Sequence, residues 1–185
     1  MDVIVLRTER LELSPPTEAD IDALYEACQD DAIQRYTTVP SPYTRADAEN
    51  FVALIPEWWA DGSEANWAIR LGGKLVGMIG LHKISLGAAK FGYWIAPEAR
   101  GIGVSTEAGR AVIDAGFQHF DLQRIEWRAV VGNVASAGVA RSLGFRYEGI
   151  LRLALYSPRG REDAWVSGIL TTDDRTPQPW PPLGD

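Results

Sequence analysis

The chain of 185 residues holds a single cysteine, Cys28, and two histidines, His82 and His119, set far apart. One thiol excludes an internal disulfide framework and fits a reducing compartment, so a cytoplasmic location is expected. Two distant histidines and one thiol offer no ligand set with zinc spacing, and no metal is expected. Long apolar runs are also missing. None approaches the roughly 18 residues that suggest a membrane span, and no basic stretch, apolar stretch and cleavage site open the chain as an export signal would. Cationic charge is scarce: 18 Lys and Arg stand against 25 Asp and Glu, for a formal charge of −7. That balance argues against nucleic-acid binding and suits a cationic partner.

What remains is enough for one domain with a sizeable core. No repeat or linker divides the chain, so residues 1–172 read as a single domain and 173–185 as a Pro-rich tail. Four prolines follow Thr176 there, so the tail reads as extended, with Trp180 a candidate to dock. Leu6–Leu13 alternates towards its end like a half-buried strand and is closed by Pro15-Pro16. Thr17 to Asp20 resembles a helix start, and Ile21, Leu24, Tyr25 and Cys28 follow on one helical face. Cys28 is thus a packed thiol rather than a nucleophile. A second cap at Thr44 precedes Ala48, Phe51, Val52, Ile55, Trp58 and Trp59. Consecutive tryptophans cannot both enter one core, so one should pack and the other line a cleft.

Asn66–Arg70 and Leu75–Lys83 read as a hairpin across Gly72-Gly73. Beyond the strand Phe91–Ile95 and the helix ending near Phe120, Arg124–Val131 is a strand. Val134–Leu143 is a short helix stopped by Gly144. Phe145–Tyr156 and Asp163–Leu170 form a last hairpin across Pro158-Arg-Gly160. The order β-α-α-β-β-β-α-β-α-β-β predicts an α+β (mixed α/β) fold with about seven strands and four main helices. Parallel pairing is expected around the central strand–helix–strand unit.

That unit carries the chemistry. Arg100, Gly101 and Gly103 join the strand to a helix bearing Val104, Ala108, Ala111, Val112 and Ala115 at helical spacing. The first turn of a helix has amides without internal partners and partial positive charge, and glycines let a ligand come close to the backbone. Strand, glycine turn and helix therefore make a seat for phosphate. The spacing is neither that of a Walker loop nor the full dinucleotide fingerprint, and a simple connecting turn is the plainer alternative.

Arg100-Gly-Ile-Gly-Val-Ser105 resembles the pyrophosphate loop of the Gcn5-related N-acetyltransferases (GNAT). Other stretches agree in order. Leu6-Arg-Thr-Glu-Arg-Leu11, Gly92-Tyr-Trp94, Thr106-Glu-Ala108, Asn133-Val-Ala-Ser136, Leu143-Gly-Phe145, and Asp163 with Ser167 are similar to the RimJ/RimL-like ribosomal-protein N-terminal acetyltransferase branch. The resemblance spans Leu6 to Leu170. It implies a bacterial enzyme transferring acetyl from acetyl-CoA to a primary amine, without metal or covalent intermediate. A protein or peptide N-terminus is the first acceptor implied. The alternatives are a small amine or antibiotic, or a non-catalytic acyl-CoA-binding regulator.

By the same resemblance, acetyl-CoA would be held by Trp94, Ile95, Ala96, the run Arg100, Gly101, Ile102, Gly103, Val104, Ser105 and Thr106, and Asn133, Ser136 and Arg141. Arg100 would meet phosphate. The Ile95 amide would hold the oxyanion and Ser136 would act as acid, while Asp163 and Glu148 are candidate bases. Asn133 could equally serve only as a helix cap, and both carboxylates could be ordinary strand residues; His82 and His119 read as structural. Tyr25, Tyr36, Trp58, Trp59 and Tyr156 would line the acceptor site, and a homodimer is possible. Two positions depart from the pattern. Ser105 replaces a final Gly or Ala of the loop, and Leu155 stands where some members carry glutamate.

Overall fold

The computed structural model describes residues 1–157 and 159–184. Its described residues form one sheet of β1 (Leu6–Arg7), β2 (Leu11–Ser14), β3 (Ala65–Leu71), β4 (Lys74–Ser85), β5 (Ala88–Ile95), β6 (Arg124–Val130), β7 (Arg146–Ser157) and β8 (Gly160–Leu170). The helices are α1 (Ile21–Ala27), α2 (Asp31–Tyr36), α3 (Arg45–Asp61), α4 (Val104–His119) and α5 (Val134–Ser142). Across the sheet the order is β1-β2-β3-β4-β5-β6-β8-β7. Only β5 and β6 pair in parallel among these neighbours, as a strand–helix–strand crossover requires.

Two counts differ from the sequence expectation. The expected first strand is two, because the Thr8 amide donates to Leu11 O at 3.0 Å and closes a turn between them. Among the described residues the sheet therefore has eight strands. The fifth helix is α2, whose six residues are too few to display a period; Asp30 caps it by accepting from the Ile33 amide at 2.9 Å. The Gly72-Gly73 hairpin forms as expected, with both glycines at positive φ (58° and 80°), which a two-residue hairpin turn of this kind demands. Of the last hairpin turn, Pro158 lies outside the described residues.

α4 buries Val104, Ala108, Val112 and Ile113 against one sheet face, with Phe91, Ile95, Ile125 and Trp127. On the other face Leu24, Cys28 and Val52 from α1 and α3 meet Ala68 and Met78. Burial pushes the Cys28 thiol up to about 12, so it stays a packed, protonated group. Trp180 of the tail is buried as well: its ring stands edge-on to Trp127 at 5.5 Å, and its Nε1 donates to Phe145 O at 3.0 Å.

Candidate active site

β5 and β6 pair from Ala88–Arg124 to Phe91–Trp127 and then stop, although β5 runs on to Ile95 and β6 to Val130. The sheet is thus split between Gly92–Ile95 and Arg128–Val130. On its other edge β5 stays paired with β4 as far as Gly77–Ile95. Beyond that rung the Ala96 amide donates to Val76 O at 2.9 Å. Hydrogen-bonded and open rungs alternate in an antiparallel ladder, so both backbone groups of Ile95 turn away from β4, towards the split. Its carbonyl accepts from Arg100 Nε at 3.0 Å, and its N–H faces the gap.

A single 3₁₀ turn, Pro97–Ala99, carries the chain from β5 into the glycine loop. Gly101 and Gly103 take left-handed φ values of 75° and 83°, and Gly103 caps α4 without a side-chain hydrogen bond. The first-turn amides of a 16-residue helix are therefore left to a ligand. A side chain at Gly101 would meet nothing within 4 Å, and one at Gly103 would meet only Arg10 Nη2 at 3.6 Å, so the approach to the loop is open. Ser105 and Thr106 lie half-buried in that first turn, Val104 is buried beneath it, and Ile102 is exposed. Open amides with partial positive charge fit the diphosphate of a coenzyme.

Arg100 has partners within the protein. Its guanidinium meets the Asp30 carboxylate at 2.7 Å and the Ile95 carbonyl, which straps the loop to the cap of α2. Arg100 in turn holds the Asp30 carboxyl below the usual carboxylate range. The arginine beside the loop is Arg10, which the sequence reading did not select. Its Nε donates to Glu107 at 2.7 Å and its Nη2 to Ile102 O at 3.0 Å, while Thr8 Oγ1 donates to Glu107 at 2.6 Å. The Thr-Glu-Arg and Thr-Glu-Ala stretches, quoted separately from the sequence, are two halves of one brace.

Ser136 sits half-buried in the first turn of α5, where Asn133 Oδ1 accepts its amide at 3.2 Å. Asn133 is thus a cap, and its amide nitrogen is a separate donor. Ser136 Oγ accepts from Tyr93 OH at 3.2 Å and from Trp127 Nε1 at 3.1 Å. Tyr93 was missed as a site residue, although its signal was present in Gly92-Tyr-Trp94. Burial pushes its hydroxyl up to about 12 against the opposing effect of the bond to Ser136. Trp94 turns to the opposite face and packs on the cluster beneath α1 and α3. Arg141 occupies the last turn of α5, at the far end from Asn133.

Both candidate bases have hydrogen-bonded carboxylates. Asp163 is exposed, and its Oδ1 accepts the Leu153 amide at 2.8 Å, within the irregularity where β7 slips between Leu151 and Leu155. Glu148 is forked by Arg124 at 2.7 and 2.5 Å, at the paired end of β6. That clamp holds the Glu148 carboxyl below its usual range.

Arg35 forks Glu162 at 3.0 and 2.7 Å and ties α2 to β8. A cleft of about 550 Å³ opens beside this pair, lined by Gln34, Arg35, Tyr36, Ser41 and Arg159. Tyr36 borders it, Tyr156 is 75% exposed near the end of β7, and Tyr25 is half-buried against the second cluster. The tryptophans do not join them. Trp59 is 1% exposed and packs edge-on to Trp67 at 5.1 Å; Trp58 is half-buried against Phe51 at 5.8 Å. Both precede Ser63, whose carbonyl accepts the Ile84 amide at the paired end of the sheet, away from the split.

A model of the acetyltransferase (GNAT) domain matches residues 10–146. The chain is 38% identical over 108 residues to YdaF of Bacillus subtilis (strain 168), provisionally named a ribosomal N-acetyltransferase. That match covers 56% of this chain and 59% of the relative's length. It is 30% identical over 152 residues to p20 of Bacillus licheniformis, an uncharacterized N-acetyltransferase, covering 80% and 85% of the two. Among solved structures it is similar to RimL, a ribosomal L7/L12 alpha-N-protein acetyltransferase in complex with coenzyme A. The TM-score is 0.84 over 90% of this chain and 98% of that one, at 21% identity, a likeness of fold. A family model over most of the length, together with an open glycine loop beside a split parallel strand pair, places the chain in the GNAT family of acetyltransferases.

Proposed function

We propose that the chain transfers an acetyl group from acetyl-CoA to a primary amine, foremost the N-terminal amine of a protein or peptide. The observation that carries this is the split between β5 and β6, which opens next to uncapped amides at the start of α4. Those amides, from Gly101 to Thr106, would hold the diphosphate, and the free edge of Gly92–Ile95 would pair with the amide-bearing arm of the coenzyme. The Ile95 N–H would donate to the oxyanion that forms as the amine attacks. Ser136 would supply the proton taken up by the departing sulfur. An amine must be neutral to attack, and a chain N-terminus, with a pKa of about 8, meets that condition near neutrality with little help. A protein acceptor is supported further by the fold of RimL and by a cleft open to solvent between α2 and the last hairpin.

The test is release of free CoA from acetyl-CoA with N-terminal peptides, and separately with polyamines and aminoglycosides. Turnover with peptides supports the proposal. Turnover with small amines alone replaces the acceptor, and tight acetyl-CoA binding without turnover on any acceptor indicates a regulator.

A further inference from the structure

Resting on that reading, we propose that Tyr93 and Trp127 are positioning residues that fix the direction in which Ser136 offers its proton. A serine hydroxyl has one proton and two acceptor sites, and an indole N–H can only donate. Trp127 Nε1, at 3.1 Å, therefore occupies one acceptor site of Ser136 Oγ whatever the other partners do. Tyr93 OH, donating at 3.2 Å, occupies the second. The indole cannot accept, so the Ser136 proton cannot turn to Trp127, and with Tyr93 as donor it is kept from the tyrosine as well. Among the described residues Ser136 Oγ bonds only Tyr93 and Trp127 side chains, so with Tyr93 as donor its proton is left to whatever lies between α5 and the split.

The placement of the two donors is not arbitrary. Trp127 is the last paired rung of β6 and Tyr93 lies two residues past the last paired rung of β5. One donor thus comes from each strand at the point where they part, and the acid is registered to the gap rather than to its own helix. Two incoming hydrogen bonds also polarise the hydroxyl and make it a better donor. Tyr93 keeps its own proton across the working pH range, since burial pushes it up to about 12. Trp127 is steadied from behind by Trp180.

In the reaction, the amine nitrogen forms a bond to the acetyl carbon, and the C–S bond breaks with its electron pair on sulfur. Ser136 passes a proton to sulfur and recovers one from the pool into which the acceptor ammonium releases its own. The proton count balances, and no further reactant is needed.

The experiment compares wild type with Tyr93→Phe, Trp127→Phe, Ser136→Ala and the double variants, using acetyl-CoA and a peptide that wild type acetylates. General acids typically contribute 10²–10⁴-fold, so Ser136→Ala should lower kcat by about 100-fold and Tyr93→Phe by about 10-fold. For Tyr93→Phe, KM for acetyl-CoA, calorimetric affinity for CoA and Tm should stay near wild type. In the Ser136→Ala background, Tyr93→Phe and Trp127→Phe should each cost less than about twofold in kcat, because residues acting through one group are not additive. Unchanged kcat in Tyr93→Phe overturns the inference. So do equal losses with and without Ser136, which would mark a merely structural effect, and a Tyr93→Phe loss exceeding that of Ser136→Ala, which would make the tyrosine the donor. Failure of wild type to bind CoA would sink the parent reading; normal wild-type turnover with an unaffected Tyr93→Phe would sink this inference alone.

Discussion

Arg100 and Asp30, seventy positions apart, meet at 2.7 Å and join the glycine loop to the cap of α2. Arg100 also holds the Ile95 carbonyl, so one guanidinium of the loop reaches both the split strand and the cap of α2. If this arginine worked by gripping phosphate, loss of Asp30 would free it and tighten CoA binding. As a strap, the pair should fail from either side. Arg100→Ala should weaken CoA binding by about tenfold. Asp30→Asn should weaken it in the same direction by about fivefold or less, as befits a half-exposed pair. Isothermal calorimetry with CoA decides, and tighter binding by Asp30→Asn would restore the phosphate role.

Much of this frame can be read from the chain before folding, and the reasons are local. Gly72-Gly73 between two alternating runs dictates a hairpin, and Arg100 to Ser105 between an aromatic strand and an apolar helical stripe dictates a loop at a helix start. What escapes is direction. Trp58 and Trp59 differ by about 100° around α3, and only the position of Trp67 and Phe120 shows that Trp59 packs at the paired end of the sheet. The charge of Arg100 is plain in the sequence, but its partner caps a six-residue helix too short to announce itself. Ser136 could be picked from its motif, whereas its two donors arrive from different strands and are evident only once those strands part.

The tail should support catalysis from behind. Trp180 is buried and edge-on to Trp127, the residue that donates to Ser136. Truncating a buried aromatic costs about 3–5 kcal/mol, so Trp180→Ala should lower Tm clearly. It should also reduce kcat more than it raises KM for acetyl-CoA, since the loosened ring is Trp127. Thermal melts and steady-state kinetics at a temperature where the variant remains folded check both effects.

Acid stability should hinge on Asp20, which is 6% exposed and forked by Arg70 at 2.8 Å to each oxygen. Burial by itself would raise this carboxyl. Arg70 and the Thr17 amide outweigh it and leave the folded value below the ordinary 3.8. A depressed folded value means that the stabilisation is complete above the unfolded value and is lost as pH falls through the folded one. Tm should therefore hold above about pH 5 and drop below about pH 4. Asp20→Asn should cost about 3–5 kcal/mol at pH 7, the usual penalty for breaking a buried pair from one side, and should flatten the acid limb. Melts across pH 3 to 7 on both proteins give the comparison.

Asp163 offers the sharpest test of how the acceptor loses its proton. Its carboxylate accepts the Leu153 amide, in a stretch where Leu153 holds a left-handed φ of 50°. Asparagine keeps an oxygen for that bond, so Asp163→Asn should preserve β7 and change kcat by less than about threefold; loss of a true general base typically costs 10²-fold or more. If the acceptor loses its proton without a base from the protein, the alkaline rise of kcat/KM should follow the acceptor's own amine. An N-terminal peptide should show an apparent pKa of about 8, and a lysine-bearing peptide with a blocked N-terminus one of about 10. Tyr93, pushed up to about 12, adds no limb in that range. A rise at one fixed pH for both acceptors, abolished in Asp163→Asn, would return the carboxylate to the mechanism as its base.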